Sequence, residues 1–156
     1  KKCKENNIFL KIYQQCTPSQ NNSLEKFYLK EKIKFKLFNF SKNILEYFSK
    51  VNLVITRAGS SMMAELLNCN IPFISVPLPS SADDHQLKNA KYFEKKGYTF
   101  LIKEEELEAK LYPLINSIHK DKSILNRVIE KQKKYSDNHV FKKIDEEIKK
   151  ILNEKN

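Results

Sequence analysis

A single glycine in the middle of the chain constrains the fold more than any other residue. The sequence contains only two glycines, and Gly59 lies where an apolar run at 51–55 passes into a helix-like pattern. This order is typical of a strand, a tight turn and a helix start. Glycine lets the backbone approach a ligand, Ser60 and Ser61 are good N-cap residues, and the first helical N–H groups form an anion site. We therefore predict that the turn holds a phosphate.

A carboxylate follows this turn on the same predicted helix. Glu65 lies about one and a half turns beyond Gly59, which is too far along to cap the helix. Its carboxylate can instead accept hydrogen bonds from a neighbouring pair of hydroxyls. A phosphate and a diol together indicate a nucleotide as the ligand.

Apolar periodicity predicts five strands that alternate with helices. The predicted strands are 8–13, 33–38, 51–55, 73–76 and 98–102, and the intervening helices are 21–31, 42–50 with Ser41 as its cap, the helix after Gly59, and 83–96. Because β-α-β crossovers are right-handed, this order predicts an α/β, Rossmann-like doubly wound parallel sheet whose ligand crevice lies at the carboxyl ends of the strands. The pattern from 104 onward is helical only, in three apolar stripes, of which the last is Phe141, Ile144, Ile148 and Ile151. We therefore predict a Rossmann-like core at 1–103 and a helical C-terminal part of the same domain at 104–156.

Composition excludes several classes of protein. No apolar run approaches the roughly 18 residues that a membrane span requires. Cys3, Cys16 and Cys69 are far apart, which argues against a disulfide framework or a zinc site and for a reducing, cytoplasmic compartment. The adjacent aspartates at 83–84 lack the alternation that aims two carboxylates at one divalent ion, so we expect no metal and no cofactor.

The net charge of +10 allows a nucleic-acid or an anionic-membrane partner. The lysines are spread along the whole chain together with abundant asparagine, isoleucine and phenylalanine, as the codon bias of an AT-rich genome produces. No compact basic and aromatic motif is present, so we do not expect nucleic-acid binding. A weak attraction to anionic lipid fits the charge better.

A second polar group begins the predicted helix 83–96. His85 follows two aspartates that can cap this helix, Gln86 can both donate to and accept from sugar hydroxyls, and Asn89 lies one turn further on. The alternative is that these residues only cap and solvate a surface helix. Two interpretations are also open for Arg57, which precedes the Gly59 turn. Its guanidinium either lies near the phosphates and helps to bind them, or it pairs with a surface carboxylate.

The sequence resembles the C-terminal half of proteins of glycosyltransferase family 28. These proteins have the GT-B fold and transfer N-acetylglucosamine in peptidoglycan synthesis. The resemblance runs from about residue 8 through the tail and rests on these motifs: Thr56-Arg57-Ala58-Gly59-Ser60-Ser61, Glu65, Ile71-Pro72, Val76-Pro77 and Asp84-His85-Gln86-x-x-Asn89-Ala90. It implies that the core binds UDP-N-acetylglucosamine. It also implies a role for each group of residues: Phe40 and Ser41 read uracil through the backbone, Glu65 binds the ribose hydroxyls, Gly59 and Ser60 face the diphosphate, and His85, Gln86 and Asn89 hold the N-acetylglucosamine.

The resemblance further implies a reaction, an inverting transfer of N-acetylglucosamine to lipid I that makes lipid II and releases UDP without a metal. A glycine-rich phosphate loop and the N-terminal domain that binds lipid I, and is expected to hold the general base, should precede residue 1. We therefore expect the donor-binding half of a hexosyltransferase, inactive by itself, with no catalytic residue assigned and located on the cytoplasmic face of the inner membrane. The alternative is a stand-alone nucleotide-sugar-binding subunit that acts only with a separate membrane-bound partner.

Overall fold

The computed structural model describes residues 2–41, 43–135 and 146. These residues form two compact units, each built from parallel strands and helices. The first unit contains the residues up to 51 together with 106–122. The second contains 52–105 together with the described residues from 123 onward.

The first unit is built around a pair of parallel strands. Its elements are α1 (Lys2–Glu5), β1 (Lys11–Gln15), α2 (Pro18–Lys30), β2 (Lys34–Phe38), α3 (Leu45–Phe48) and α6 (Leu107–Lys120). Lys11 lies opposite Lys34, and the parallel register continues to Gln15 opposite Phe38.

Helix α2 begins earlier than predicted, because its first turn is stabilised locally. The Thr17 N–H donates to Gln20 Oε1 at 3.0 Å, and Pro18 occupies the first helical position, where its missing N–H costs nothing. The predicted start at 21 is therefore wrong by one turn.

The second unit contains a three-stranded parallel sheet in the order β3-β4-β5. Its elements are β3 (Val54–Thr56), α4 (Ser60–Asn68), β4 (Phe73–Ser75), α5 (His85–Lys96), β5 (Phe100–Leu101) and α7 (Ser123–Lys134). The central strand β4 is buried over its whole length, as expected for a parallel strand with both faces covered. Its register places Val54 opposite Phe73 and Ile74 opposite Phe100.

Helix α7 packs on α4 and is fastened by one buried polar side chain. Gln132 is fully buried, and its Nε2 donates to the carbonyl oxygens of Ile71 at 3.0 Å and Tyr98 at 2.8 Å. Ile71 and Tyr98 lie in the segments that lead into β4 and β5. Gln132 therefore holds both segments from the amino side of the sheet.

The predicted α/β class is confirmed, since every strand pairing among the described residues is parallel and helices separate successive strands. The observed strand bounds differ from the predicted ones by a few residues. The helical pattern predicted from 104 onward corresponds to a 3₁₀ turn at Glu104–Glu106 followed by α6 and α7. The last predicted stripe, Phe141 to Ile151, lies outside the described residues, and the predicted division at residue 103 stays a prediction.

The predicted helix 42–50 is wrong at its start. Helix α3 spans only Leu45–Phe48, with Ile44 rather than Ser41 at its N-cap position. Ser41 Oγ instead accepts a hydrogen bond from the Asn43 N–H at 3.2 Å. A serine side chain bonded to the backbone two residues on offers the chain a turn in place of a helix.

Candidate functional site

The Gly59 turn joins β3 to α4 at the carboxyl end of β3. Gly59 itself is the N-cap residue, and its carbonyl accepts the first helical hydrogen bond from the Met63 N–H at 3.1 Å. The prediction that Ser60 or Ser61 caps the helix is wrong, because both are already helical and exposed. The first N–H groups of α4 have no partner inside the helix, and none of the described side chains caps them.

Gly59 is not required by its own backbone conformation or by its neighbours. Its φ of −71° and ψ of 134° are available to any residue. A Cβ built on it meets no atom of the described chain within 4 Å. The turn therefore leaves open space in front of the uncapped helix end, where a side chain would stand in the way of a ligand approaching the backbone.

Two polar residues from the start of α5 make hydrogen bonds near the carboxyl ends of the strands. Asn89 Nδ2 donates to the carbonyl oxygen of Ala58 at 3.5 Å. Gln86 Oε1 accepts from the Leu78 N–H at 2.9 Å, which ties α5 to the loop that follows β4. Residues from the ends of β3 and β4 and from the first two turns of α5 thus meet at the carboxyl edge of one sheet.

His85 is exposed at the first position of α5, and its ring has a defined orientation. Its Nδ1 lies 2.8 Å from the carbonyl oxygen of Ala82. Because a carbonyl only accepts, Nδ1 carries the proton, and in the neutral ring Nε2 is left as an acceptor. A neutral His85 can therefore accept a hydrogen bond from a ligand hydroxyl.

The residues before His85 adopt an unusual backbone. Asp83 and Asp84 both have left-handed conformations, with φ of 48° and 54°. The predicted helix start at 83 is therefore wrong. Asp84 occupies the N-cap position of α5 but makes no side-chain capping bond, so the predicted capping role of these aspartates is wrong as well. Aspartate is one of the few residues that tolerate this conformation.

Arg57, immediately before Ala58 and Gly59, is paired in the structure. Its Nη1 donates to the Oε2 of Glu104, which follows β5, and both side chains are about half exposed, at 50% and 44%. Of the two interpretations of Arg57, the structure therefore supports the one in which it pairs with a carboxylate. Sequence reasoning did not find Glu104, although three consecutive glutamates directly after the last predicted strand were a usable signal.

The remaining predicted site residues are placed as follows. Glu65 is exposed on α4, and none of the described residues donates a hydrogen bond or ion pair to its carboxylate. Phe40 and Ser41 belong to the first unit, after β2, and the Phe40 side chain is 79% exposed. Their assignment to uracil stays a prediction.

No group of three or more histidine, cysteine, aspartate or glutamate side chains within 2–41, 43–135 and 146 is arranged to hold a metal ion. None of the helices in that part of the chain is long and apolar enough to cross a membrane.

Two relatives of this chain from different organisms have the same name. The chain is 34% identical over 150 residues to the UDP-N-acetylglucosamine--N-acetylmuramyl-(pentapeptide) pyrophosphoryl-undecaprenol N-acetylglucosamine transferase of Pelagibacter ubique, covering 95% of this chain and 42% of that protein. The Rickettsia bellii protein of the same name is 34% identical over 119 residues, covering 73% of this chain and 33% of that protein. The chain thus spans less than half the length of these curated relatives.

A solved structure shares the fold. The crystal structure of MurG from Acinetobacter baumannii matches with a TM-score of 0.73 at 22% identity, over 88% of this chain and 43% of that chain. This likeness supports a Rossmann-like α/β fold for the chain. The family model described as the glycosyltransferase family 28 C-terminal domain matches residues 1–154, nearly the whole sequence. The chain therefore belongs to glycosyltransferase family 28, and the part of the family that it carries is the C-terminal domain.

Proposed function

We propose that this chain binds UDP-N-acetylglucosamine as the donor-binding half of an inverting hexosyltransferase, which transfers N-acetylglucosamine to lipid I to make lipid II. The observation that carries the proposal is the hydrogen bond from Asn89 to Ala58, because it connects the turn that we assign to the diphosphate with the end of α5 that we assign to the sugar. The names of the relatives in family 28 support the choice of donor and acceptor.

The diphosphate belongs at the Gly59 turn. The uncapped N-terminus of α4 offers N–H groups and the positive end of the helix dipole. As UDP leaves, a backbone N–H aimed at the developing charge contributes on the order of 3 kcal/mol, so the turn can support the departure of UDP without a metal. Ser60 and Ser61 add exposed hydroxyls at the same place.

The ribose and the sugar fall on either side of this diphosphate. Glu65 presents an exposed carboxylate one and a half turns along α4, where it can accept from the ribose diol. His85, Gln86 and Asn89 supply an acceptor and two amide groups for the hydroxyls of N-acetylglucosamine. We also assign Phe40 and Ser41 to uracil, as the resemblance implies.

The rest of the reaction needs groups from another polypeptide segment or another chain. We assign no general base here, and we propose that lipid I binds outside the C-terminal domain that this chain carries. We propose that the enzyme acts at the cytoplasmic face of the inner membrane, where the basic surface of the chain favours anionic lipid. If the chain is instead a stand-alone subunit that acts with a separate membrane-bound partner, it would bind the donor through the same residues.

Calorimetric titration tests the donor-binding proposal. We expect the chain to bind UDP, and Glu65→Ala to weaken that binding about tenfold or more, because a charged hydrogen bond contributes roughly 1.5–3 kcal/mol. The variant and the original chain should bind 2′,3′-dideoxy-UDP equally, since this ligand has no diol. Glu94→Ala, which removes an exposed carboxylate from α5, is the control and should bind UDP like the original chain. Equal UDP affinities for the original chain and Glu65→Ala would show that Glu65 has been assigned wrongly, and no UDP binding at all would reject the proposed function.

A further inference from the structure

The ion pair between Arg57 and Glu104 crosses the carboxyl edge of the three-stranded sheet. Arg57 directly follows β3, and Glu104 lies three residues beyond β5, on the opposite side of the central strand β4. Backbone bonds continue the pairing past the strand ends, from the Val76 N–H to Thr56 at 2.8 Å and from the Ile102 N–H to Ser75 at 3.2 Å. Two strand spacings amount to about 10 Å, so the pair reaches over the end of β4.

This ion pair connects a negative charge to the arginine that lies two residues before the proposed diphosphate site. Arg57 is two residues before Gly59, and its guanidinium extends toward Glu104. A carboxylate near bound phosphates repels them, and it also competes with them for the guanidinium. Because both side chains are about half exposed, the pair itself contributes little to stability and can open at small cost.

The donor and the product differ in the charge of the β-phosphate, which the Glu104 carboxylate would repel. In a nucleoside diphosphate sugar the β-phosphate is esterified to the sugar and carries a single negative charge. After transfer the β-phosphate is a terminal group whose second ionisation lies near pH 6, so it carries close to two negative charges at pH 7.5. Repulsion by a nearby carboxylate is therefore stronger for the product than for the donor.

We propose that Glu104 is a specificity-determining residue, which acts beside and through Arg57 to weaken binding of the free nucleoside diphosphate relative to the nucleotide sugar. This inference rests on the proposed function of the same site. Its consequence is that Glu104 promotes release of the product after transfer and limits inhibition by the product.

The neighbouring glutamate provides a matched control. Glu105 is also exposed and carries the same charge, but it pairs with Lys103 at 3.8 Å rather than with Arg57. Replacing Glu105 changes the net charge of the chain as much as replacing Glu104 does. A difference between the two variants therefore reports the position of the charge and not its total.

The experiment measures the affinities of UDP, UDP-N-acetylglucosamine and uridine by calorimetry for the original chain and three variants. Glu104→Gln should tighten UDP about three- to tenfold and UDP-N-acetylglucosamine only about two- to threefold, because the β-phosphate of UDP carries close to two negative charges and that of the nucleotide sugar carries one. Uridine, which has no phosphate, should bind all proteins equally. Glu104→Asp and Glu105→Gln should keep the original ratio of UDP to UDP-N-acetylglucosamine affinities.

The outcomes separate this inference from the function on which it rests. If the original chain binds UDP but Glu104→Gln leaves the ratio unchanged, tightens both ligands equally or weakens UDP, the role of Glu104 is overturned and the donor-binding function stands. If the original chain binds none of the three ligands, the proposed function and this inference both fall.

Discussion

Asn89 on α5 donates a hydrogen bond from Nδ2 to the carbonyl oxygen of Ala58, 3.5 Å away and 31 residues earlier in the chain. Ala58 is fully buried at the end of β3, immediately before the turn that opens α4. This contact brings the two polar motifs of the sequence to one edge of the sheet. The second Nδ2 hydrogen and the amide oxygen of Asn89 remain available to a ligand.

Replacing Asn89 with alanine tests this contact. A bond of 3.5 Å is long, so we expect the free energy of unfolding to fall by no more than about 1 kcal/mol. Binding of UDP-N-acetylglucosamine should weaken more than binding of UDP, because Asn89 is assigned to the sugar. Lys88→Ala, at the exposed position beside it, should change neither quantity. A larger loss of UDP affinity than of UDP-N-acetylglucosamine affinity would contradict the assignment.

Gly59→Val tests whether the open space before α4 belongs to a ligand. The φ and ψ of Gly59 suit a β-branched residue, and no described atom lies within 4 Å of the added Cβ. The melting temperature should therefore stay within a few degrees of the original value. UDP affinity should fall at least tenfold, since the side chain blocks access to the helix N–H groups. A folded variant with unchanged UDP affinity would show that the phosphate does not bind at this turn.

Gly97→Ala should behave in the opposite way. Gly97 ends α5 with a φ of 76°, and an added Cβ would lie 2.5 Å from the Cδ and Nζ atoms of Lys131. The left-handed conformation alone costs an alanine roughly 1 kcal/mol, and the Lys131 side chain must also move. We expect lower stability by chemical denaturation with UDP affinity retained in the folded protein. Unchanged stability would show that α5 can end without a left-handed residue.

Gln132→Met tests the polar attachment of α7. Methionine fills a similar volume but leaves the carbonyl groups of Ile71 and Tyr98 without their shared donor, so the free energy of unfolding should fall by about 2–4 kcal/mol. Lys134→Ala, at an exposed position of the same helix, should change it by less than about 0.5 kcal/mol. Denaturant titration of both variants provides the measurement. If Gln132→Met and the original chain had equal free energies of unfolding, apolar contacts alone would hold α7 in place.

Much of the second unit could be predicted from local sequence. The apolar run, the single glycine and the following amphipathic pattern identified β3, the turn and α4, because strand and helix periods are local properties. The N-cap was missed, since serine is itself a favoured cap and nothing in the sequence distinguishes position 59 from 60. The left-handed pair Asp83 and Asp84 was missed for a similar reason, as aspartate at a helix start more often caps it.

The contacts that complete the candidate site join residues distant in sequence. Arg57 and Glu104 are 47 residues apart, and Gln132 is 61 residues from Ile71. Gln132 lies four residues after the buried Val128, on the same face of α7, but nothing in the sequence alone indicates that an amide is buried there. Such pairings depend on strand order and register, which local propensity does not specify.

The sequence by itself determined the α/β class, the Gly59 turn and the polar residue types that follow it, because each follows from short-range periodicity and from the chemistry of individual side chains. Only the tertiary structure decided which of these residues meet. Asn89 donates to Ala58, and Glu104 accepts from Arg57. The physical reason is that parallel pairing of β3, β4 and β5 brings their carboxyl ends to one edge, and this pairing is set by the burial of β4 between its neighbours.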